Sequence, residues 1–113
     1  MKTITAHGAA IPVLGFGTFR MQAPDVLRMV PAVLKLGFRH VDTAQIYRNE
    51  AAVGEAIAGS GVARGDIFLT TKVWIDNFAP DRFAASVDES LAKLKTDHVD
   101  LLLLHWPNGS VPL

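Results

Sequence analysis

The chain contains no cysteine, which excludes a disulfide framework and a thiolate metal site. Neither sign of charge is in excess: eleven basic and eleven acidic residues are dispersed along it, so no nucleic-acid or membrane surface is indicated. No run approaches the roughly 18 apolar residues of a membrane span. The opening stretch MKTITAHGAAIPVLG lacks a signal peptide's apolar core, and a cytoplasmic location is the resulting expectation. The four histidines, His7, His40, His98 and His105, fall at no accepted ligand spacing, so no metal is expected. Gly15-Phe16-Gly17 is no dinucleotide fingerprint, because Arg20 stands where a third glycine is required. Arg64-Gly65-Asp66 spells an adhesion tripeptide but falls in a helix-to-strand turn, and Asn108-Gly109-Ser110 is a glycosylation acceptor only in form.

What the chain does contain is an alternation of apolar strands and amphipathic helices. In GFRHVDTAQIYRNEAAVG, an apolar run (Phe38, Val41) ends in Asp42, a loop from Thr43 to Arg48 holds Tyr47, and Asn49 can cap a helix through Val53 and Ile57. The pattern recurs. IFLTTK ends its run in Lys72, and VDLLLLH ends its run in His105. Three successive strands thus each place an ionisable residue at the carboxyl end, where parallel α/β folds keep their chemistry. Parity groups them further, since residues two apart share a strand face. Phe38, His40 and Asp42 point together, as do Phe68, Thr70 and Lys72, and Val99, Leu101, Leu103 and His105.

Elsewhere, Ile4–Ala6 and Ile11–Leu14 around His7-Gly8 predict a small hairpin. Val13–Thr18 reads as the first main strand. A helix follows from Pro24 and Asp25, with the stripe Val26, Val30, Val33, Leu34, the interior Pro31 and a stop at Gly37. A second helix is predicted from about Glu50 to Ala58, ended by Gly59-Ser60-Gly61. Ile67–Lys72 forms the next strand, and a third helix begins near Pro80 with Phe83, Val87, Leu91 and Leu94 on one face. Val99–Leu104 is the last strand. Units of about 30 residues argue for a parallel sheet with crossover helices.

On these residues the chain resembles the aldo-keto reductase superfamily. Gly37, Phe38, Arg39, Asp42, Ala44, Glu50 and Gly54 match its first signature, Thr71–Trp74 and Leu101–Pro107 its next two landmarks. The phrase DTAQIYRNEAAVG is similar to the branch of 2,5-diketo-D-gluconate reductases. The likeness runs from Ile4 to Pro107. It implies a (β/α)8 TIM barrel whose bottom is plugged by the hairpin. Such barrels typically need about 250 residues. With 113, the chain is expected to form one incomplete domain over residues 1–113, the N-terminal half of the barrel: hairpin plus about four β/α units. Loops that grip the cofactor's phosphates and adenine belong to the family's later half. A 50% hydrophobic content and mean hydropathy of +0.25 fit exposed sheet flanks, which invite self-pairing.

The resemblance also implies chemistry: a hydride passes from a nicotinamide, NADPH in this family, to a carbonyl carbon while a tyrosine protonates the oxygen. Tyr47 would be the acid. A phenol of pKa about 10 is a poor acid unless its surroundings favour phenolate, and Lys72 is placed to do so, itself held charged by Asp42. His105 would donate to the carbonyl oxygen. Phe19, Trp74 and Trp106 are implied as substrate-pocket walls. Gly17 and Thr18 are implied at the nicotinamide end, with Asp42 at its ribose. The substrates would be small aldehydes or ketones, keto-sugar acids among them, and the full-length relative would be a monomer. Two other readings stay open here: a non-catalytic half-barrel that self-associates, and a metal-dependent barrel hydrolase using His40, Asp42 and His105.

Overall fold

The computed structural model describes residues 2–111. The predicted hairpin pairs β1 (Thr3–Ala6) with β2 (Ala9–Pro12) antiparallel, Ile4 opposite Ile11. Its two-residue turn needs left-handed backbone at both positions, and His7 (φ 47°) and Gly8 (φ 81°) supply it.

Four parallel strands follow in the order β3 (Gly15–Gly17), β4 (His40–Asp42), β5 (Phe68–Val73) and β6 (Leu101–Leu104). They alternate with α1 (Ala23–Lys35), α2 (Glu50–Ala58) and α3 (Pro80–Leu94), so each parallel step is closed by one helix. The helices pack α1 on α2 and α2 on α3, forming one layer against one face of the sheet. The strands are shorter than the apolar runs suggested, starting at Gly15, His40 and Leu101, although Arg39 O and Asp100 N already bond to β5 just before them.

The stripe of α1 is buried as its spacing requires: Val26, Val30, Val33 and Leu34 are at most 6% exposed. Val26, Val30 and Leu34 cluster with Val41 and Leu69 of the sheet and Val53 and Ile57 of α2. The buried line of α3 differs from expectation. Ser86, Ser90 and Leu94 are buried, while Phe83, Val87 and Leu91 are half-buried along its flank. The apolar pattern located the helix but not its inner line, which two serines occupy for polar reasons given below.

Parity decides the rest. Val41, Leu69, Thr71 and Val73 alternate with His40, Asp42, Thr70 and Lys72. The former meet the helices: Val41 and Leu69 join the helix core, and Thr71 bonds to Glu50 of α2. The latter group by themselves: His40 bonds to Thr70 (2.9 Å) and stacks edge-on against Phe68, and Lys72 bonds to Asp42. At the amino end of this face the His40 ring reaches Pro12 O of the hairpin (3.3 Å). The hairpin therefore docks at the end of the sheet opposite to Asp42 and Lys72.

Candidate active site

The register sets the site. Gly17 lies opposite Asp42, Asp42 opposite Thr70, and Lys72 opposite Leu103. Asp42 and Lys72 thus stand on one face, two residues apart in height, at the carboxyl ends of neighbouring strands. Lys72 Nζ donates to Asp42 Oδ2 (2.8 Å), to the Thr43 carbonyl (3.0 Å) and to the Tyr47 hydroxyl oxygen (3.3 Å). An ammonium has three donors and no acceptor. All three are used, and the Tyr47 oxygen is an acceptor from Lys72, so its own O–H proton stays free to point elsewhere.

Tyr47 is carried by a single 3-10 turn, Gln45–Tyr47, closed by Arg48 in left-handed backbone (φ 57°). His105 follows the last residue of β6 and is tied to β5 by its N–H to Val73 O (3.0 Å). Its ring stands edge-on to Tyr47 (centroids 5.8 Å apart) and to Trp74 (5.3 Å). His105 Nδ1 is shut off from solvent with no hydrogen-bond partner among the described residues, which leaves Nε2 to serve a ligand. Burial, reinforced by the Lys72 ammonium and only partly opposed by the Asp42 carboxylate, holds the imidazole's pKa below its ordinary value. It is therefore neutral near pH 7, with one N–H to donate.

Aromatic rings complete the surround. Phe19 lies 5.3 Å from the Tyr47 ring and Trp106 lies 5.8 Å from His105. Both are more than half exposed, Trp74 less so. The expected residues Phe19, Tyr47, Trp74, His105 and Trp106 are thus joined in one chain of ring contacts beside Lys72 and Asp42. His40 is not among them. Its ring nitrogens face Pro12 O and Thr70 Oγ1, which separates it from the Asp42–His105 grouping that a metal-hydrolase reading requires.

Below the rings the loops are locked by buried amides and hydroxyls. Thr18 is fully buried; its N–H donates to Asp42 O (3.0 Å) and its own carbonyl accepts from Asn49 Nδ2 (2.9 Å). Asn49 Nδ2 also reaches Met21 O (3.0 Å), and Asn49 Oδ1 accepts from Thr43 Oγ1 (2.8 Å). Asn49 occupies the N-cap position of α2 as expected, but its side chain makes no cap bond. It bridges the loops after β3 and β4 instead. Glu50, almost fully buried, accepts from Thr71 Oγ1 (2.7 Å) and Ser90 Oγ (3.2 Å), which explains the serines on the inner line of α3. Gln45 bonds to both Ser86 and Ser90. Sequence reading passed over Gln45 and Asn49's bridging role, since a lone polar residue in a loop carries no periodic signal.

A nicotinamide cofactor can be tested against these groups. Asp42 uses Oδ2 on Lys72, while its Oδ1 takes no hydrogen bond among the described residues and suits a sugar hydroxyl. Gly17 is exposed, and a Cβ built on it would meet nothing within 4 Å, so its backbone can be approached closely. The residues present fit the group.

Comparison with known proteins agrees in scale and kind. Residues 13–113 match the family model described as the aldo/keto reductase family. Methylglyoxal reductase DkgB of Salmonella typhi is 56% identical over 98 residues, covering 87% of this chain and 37% of that protein. Aldehyde reductase YPR1 of Saccharomyces cerevisiae is 50% identical over 107 residues, covering 94% of this chain and 32% of the relative. A crystal structure provisionally assigned as a 2,5-diketo-D-gluconic acid reductase B superposes with a TM-score of 0.96 at 69% identity, over 99% of this chain and 40% of that one. The chain therefore spans well under half the length of the relatives it matches.

Proposed function

Because the chain belongs to the aldo/keto reductase family, we propose that the whole protein reduces the carbonyl of small aldehydes or ketones with NADPH, and that Asp42, Tyr47, Lys72 and His105 carry the chemistry. The observation that supports this most directly is the hydrogen bonding of Tyr47. Its oxygen accepts from the Lys72 ammonium at 3.3 Å, so its proton is left for a ligand oxygen.

When bound, the cofactor supplies the hydride. Gly17 and the Asp42 carboxylate would hold its nicotinamide-ribose end, with Thr18 fixing the backbone beneath them. Tyr47 gives its proton to the carbonyl oxygen, and the negative charge left on the phenol oxygen falls on a hydrogen bond from a fixed ammonium. Asp42 holds that ammonium in place from the other side. His105 Nε2–H donates to the same carbonyl oxygen, orienting it and stabilising charge as it develops. Phe19, Trp74 and Trp106 offer apolar walls that limit water at the reacting centre.

Names among the relatives, methylglyoxal reductase and aldehyde reductase, favour short polar aldehydes as substrates. The 2,5-diketo-D-gluconate branch keeps keto-sugar acids in view. The test is Tyr47→Phe in the full-length enzyme. We expect turnover of methylglyoxal to fall at least about 100-fold, the scale of a lost general acid, with NADPH binding by nicotinamide fluorescence unchanged. Wild-type turnover in that variant overturns the assignment.

A further inference from the structure

Gln45 sits two residues before Tyr47 and touches three segments at once. Its Oε1 accepts from the backbone N–H of Trp74 (2.9 Å) and from Asn77 Nδ2 (2.9 Å). Its Nε2 donates toward Ser86 Oγ (3.1 Å), Ser86 O (3.3 Å) and Ser90 Oγ (3.2 Å) of α3. The Trp74 N–H can only donate, so the amide has one possible orientation. Ser90 in turn bonds to Glu50, which bonds to Thr71 on the strand that carries Lys72. One amide therefore joins the loop of Tyr47, the loop of Trp74 and the helix behind both.

The consequence lies in the ring contacts above it. Trp74 packs on His105 and His105 on Tyr47, so the carbonyl's two donors stand in edge-on contact, with Trp74 packed on the same imidazole. Gln45 holds the Trp74 N–H and lies two residues before Tyr47, so it is bonded to both sides of this contact. We infer that Gln45 is a positioning residue, setting the distance between the Tyr47 hydroxyl and the Trp74–His105 wall so that one ligand oxygen meets both donors. The inference rests on the carbonyl-reductase reading above. A displacement of about 1 Å in such a site costs on the order of 100-fold in rate, so a polar residue that never meets substrate can control turnover.

The experiment compares Gln45→Met, Gln45→Glu and Tyr47→Phe with wild type in the full-length enzyme, using methylglyoxal and NADPH. Met keeps the stem and loses both polar arms. Its kcat is expected to fall about 10- to 100-fold, with NADPH binding unchanged and at a temperature well below its Tm. The carboxylate of Gln45→Glu keeps the arm toward Trp74 but cannot donate to Ser86 O until protonated. Its kcat relative to wild type is therefore expected to rise from about pH 7 to about pH 4.5, where the carboxyl takes up its proton. A merely structural role gives no such acid rescue. A kcat for Gln45→Met within about twofold of wild type, alongside an inactive Tyr47→Phe, overturns the positioning role and leaves the reductase reading standing. If Gln45→Met fails to fold, a pH-independent ratio for Gln45→Glu overturns it instead. An active Tyr47→Phe removes the reductase reading and this inference together.

Discussion

Lys72 Nζ stands 3.3 Å from the hydroxyl oxygen of Tyr47 and 2.8 Å from Oδ2 of Asp42, so the phenol and the carboxylate share one ammonium. The two are offered to it by different means. Asp42 ends a neighbouring strand in register, whereas Tyr47 reaches back from a 3-10 turn five residues later.

Replacing Lys72 by Met removes the donor from Tyr47 and leaves Asp42 without its partner. We expect kcat for aldehyde reduction in the full-length enzyme to drop about 100- to 10,000-fold, the range for a lost acid–base function. Lys72→Arg keeps the charge but not the compact three-way donation, and should recover only part of the loss. Steady-state kinetics at fixed NADPH measure both. A Lys72→Met enzyme as fast as wild type would leave Tyr47 without need of an ammonium.

His105 gives a pH dependence whose sign follows from burial. Well above the ordinary histidine value of about 6.5, both folded and unfolded chains hold it neutral and it adds no slope. As pH falls below that value, the unfolded chain takes up a proton that the folded site resists, so stability is lost until the pH reaches the lower folded value. His105→Gln should abolish that acid-side loss. Thermal melts between about pH 8 and pH 5 should show the Tm of wild type falling relative to the variant only at the acid end. A constant difference across the range would mean that the imidazole is not held neutral.

Gly54 in α2 faces the end of α3 so closely that an added Cβ would lie 2.6 Å from the Lys93 carbonyl oxygen and the Leu94 carbonyl carbon. Alanine in a helix gains about 1 kcal/mol in propensity over glycine. The forced separation of two backbones, typically about 1–3 kcal/mol for overpacking, should outweigh it. Gly54→Ala is expected to lower the denaturant midpoint, and a raised midpoint would show that the helices separate freely.

The element pattern was legible because burial imposes period. Val26, Val30, Val33 and Leu34 announced the inner stripe of α1, and Glu50 to Ala58 was bounded as α2 by the asparagine before it and the glycine after it. The strand ends were legible too, since an apolar run that stops at an ionisable residue marks where a buried strand leaves its sheet. That carried Asp42, Lys72 and His105.

What the sequence could not supply was anything decided by a side chain's partner. Asn49 stands at a helix N-cap, yet its Oδ1, the atom that would accept from the helix N–H groups, accepts from the Thr43 and Thr18 hydroxyls instead, while its Nδ2 donates to two carbonyls of the loop after β3. Ser86 and Ser90 displace apolar residues from the inner line of α3 because Gln45 and the buried Glu50 need hydroxyls there. By itself the sequence determined the order of strands and helices and the face each ionisable residue occupies, for these depend on hydrophobic period and strand parity along the chain. Only the tertiary structure decided that Lys72 gives one hydrogen to Tyr47, and that Gln45 binds the Tyr47 and Trp74 loops together. Those contacts join residues 25 to 45 positions apart, and their direction is set by which donor finds which acceptor once the strands are in register.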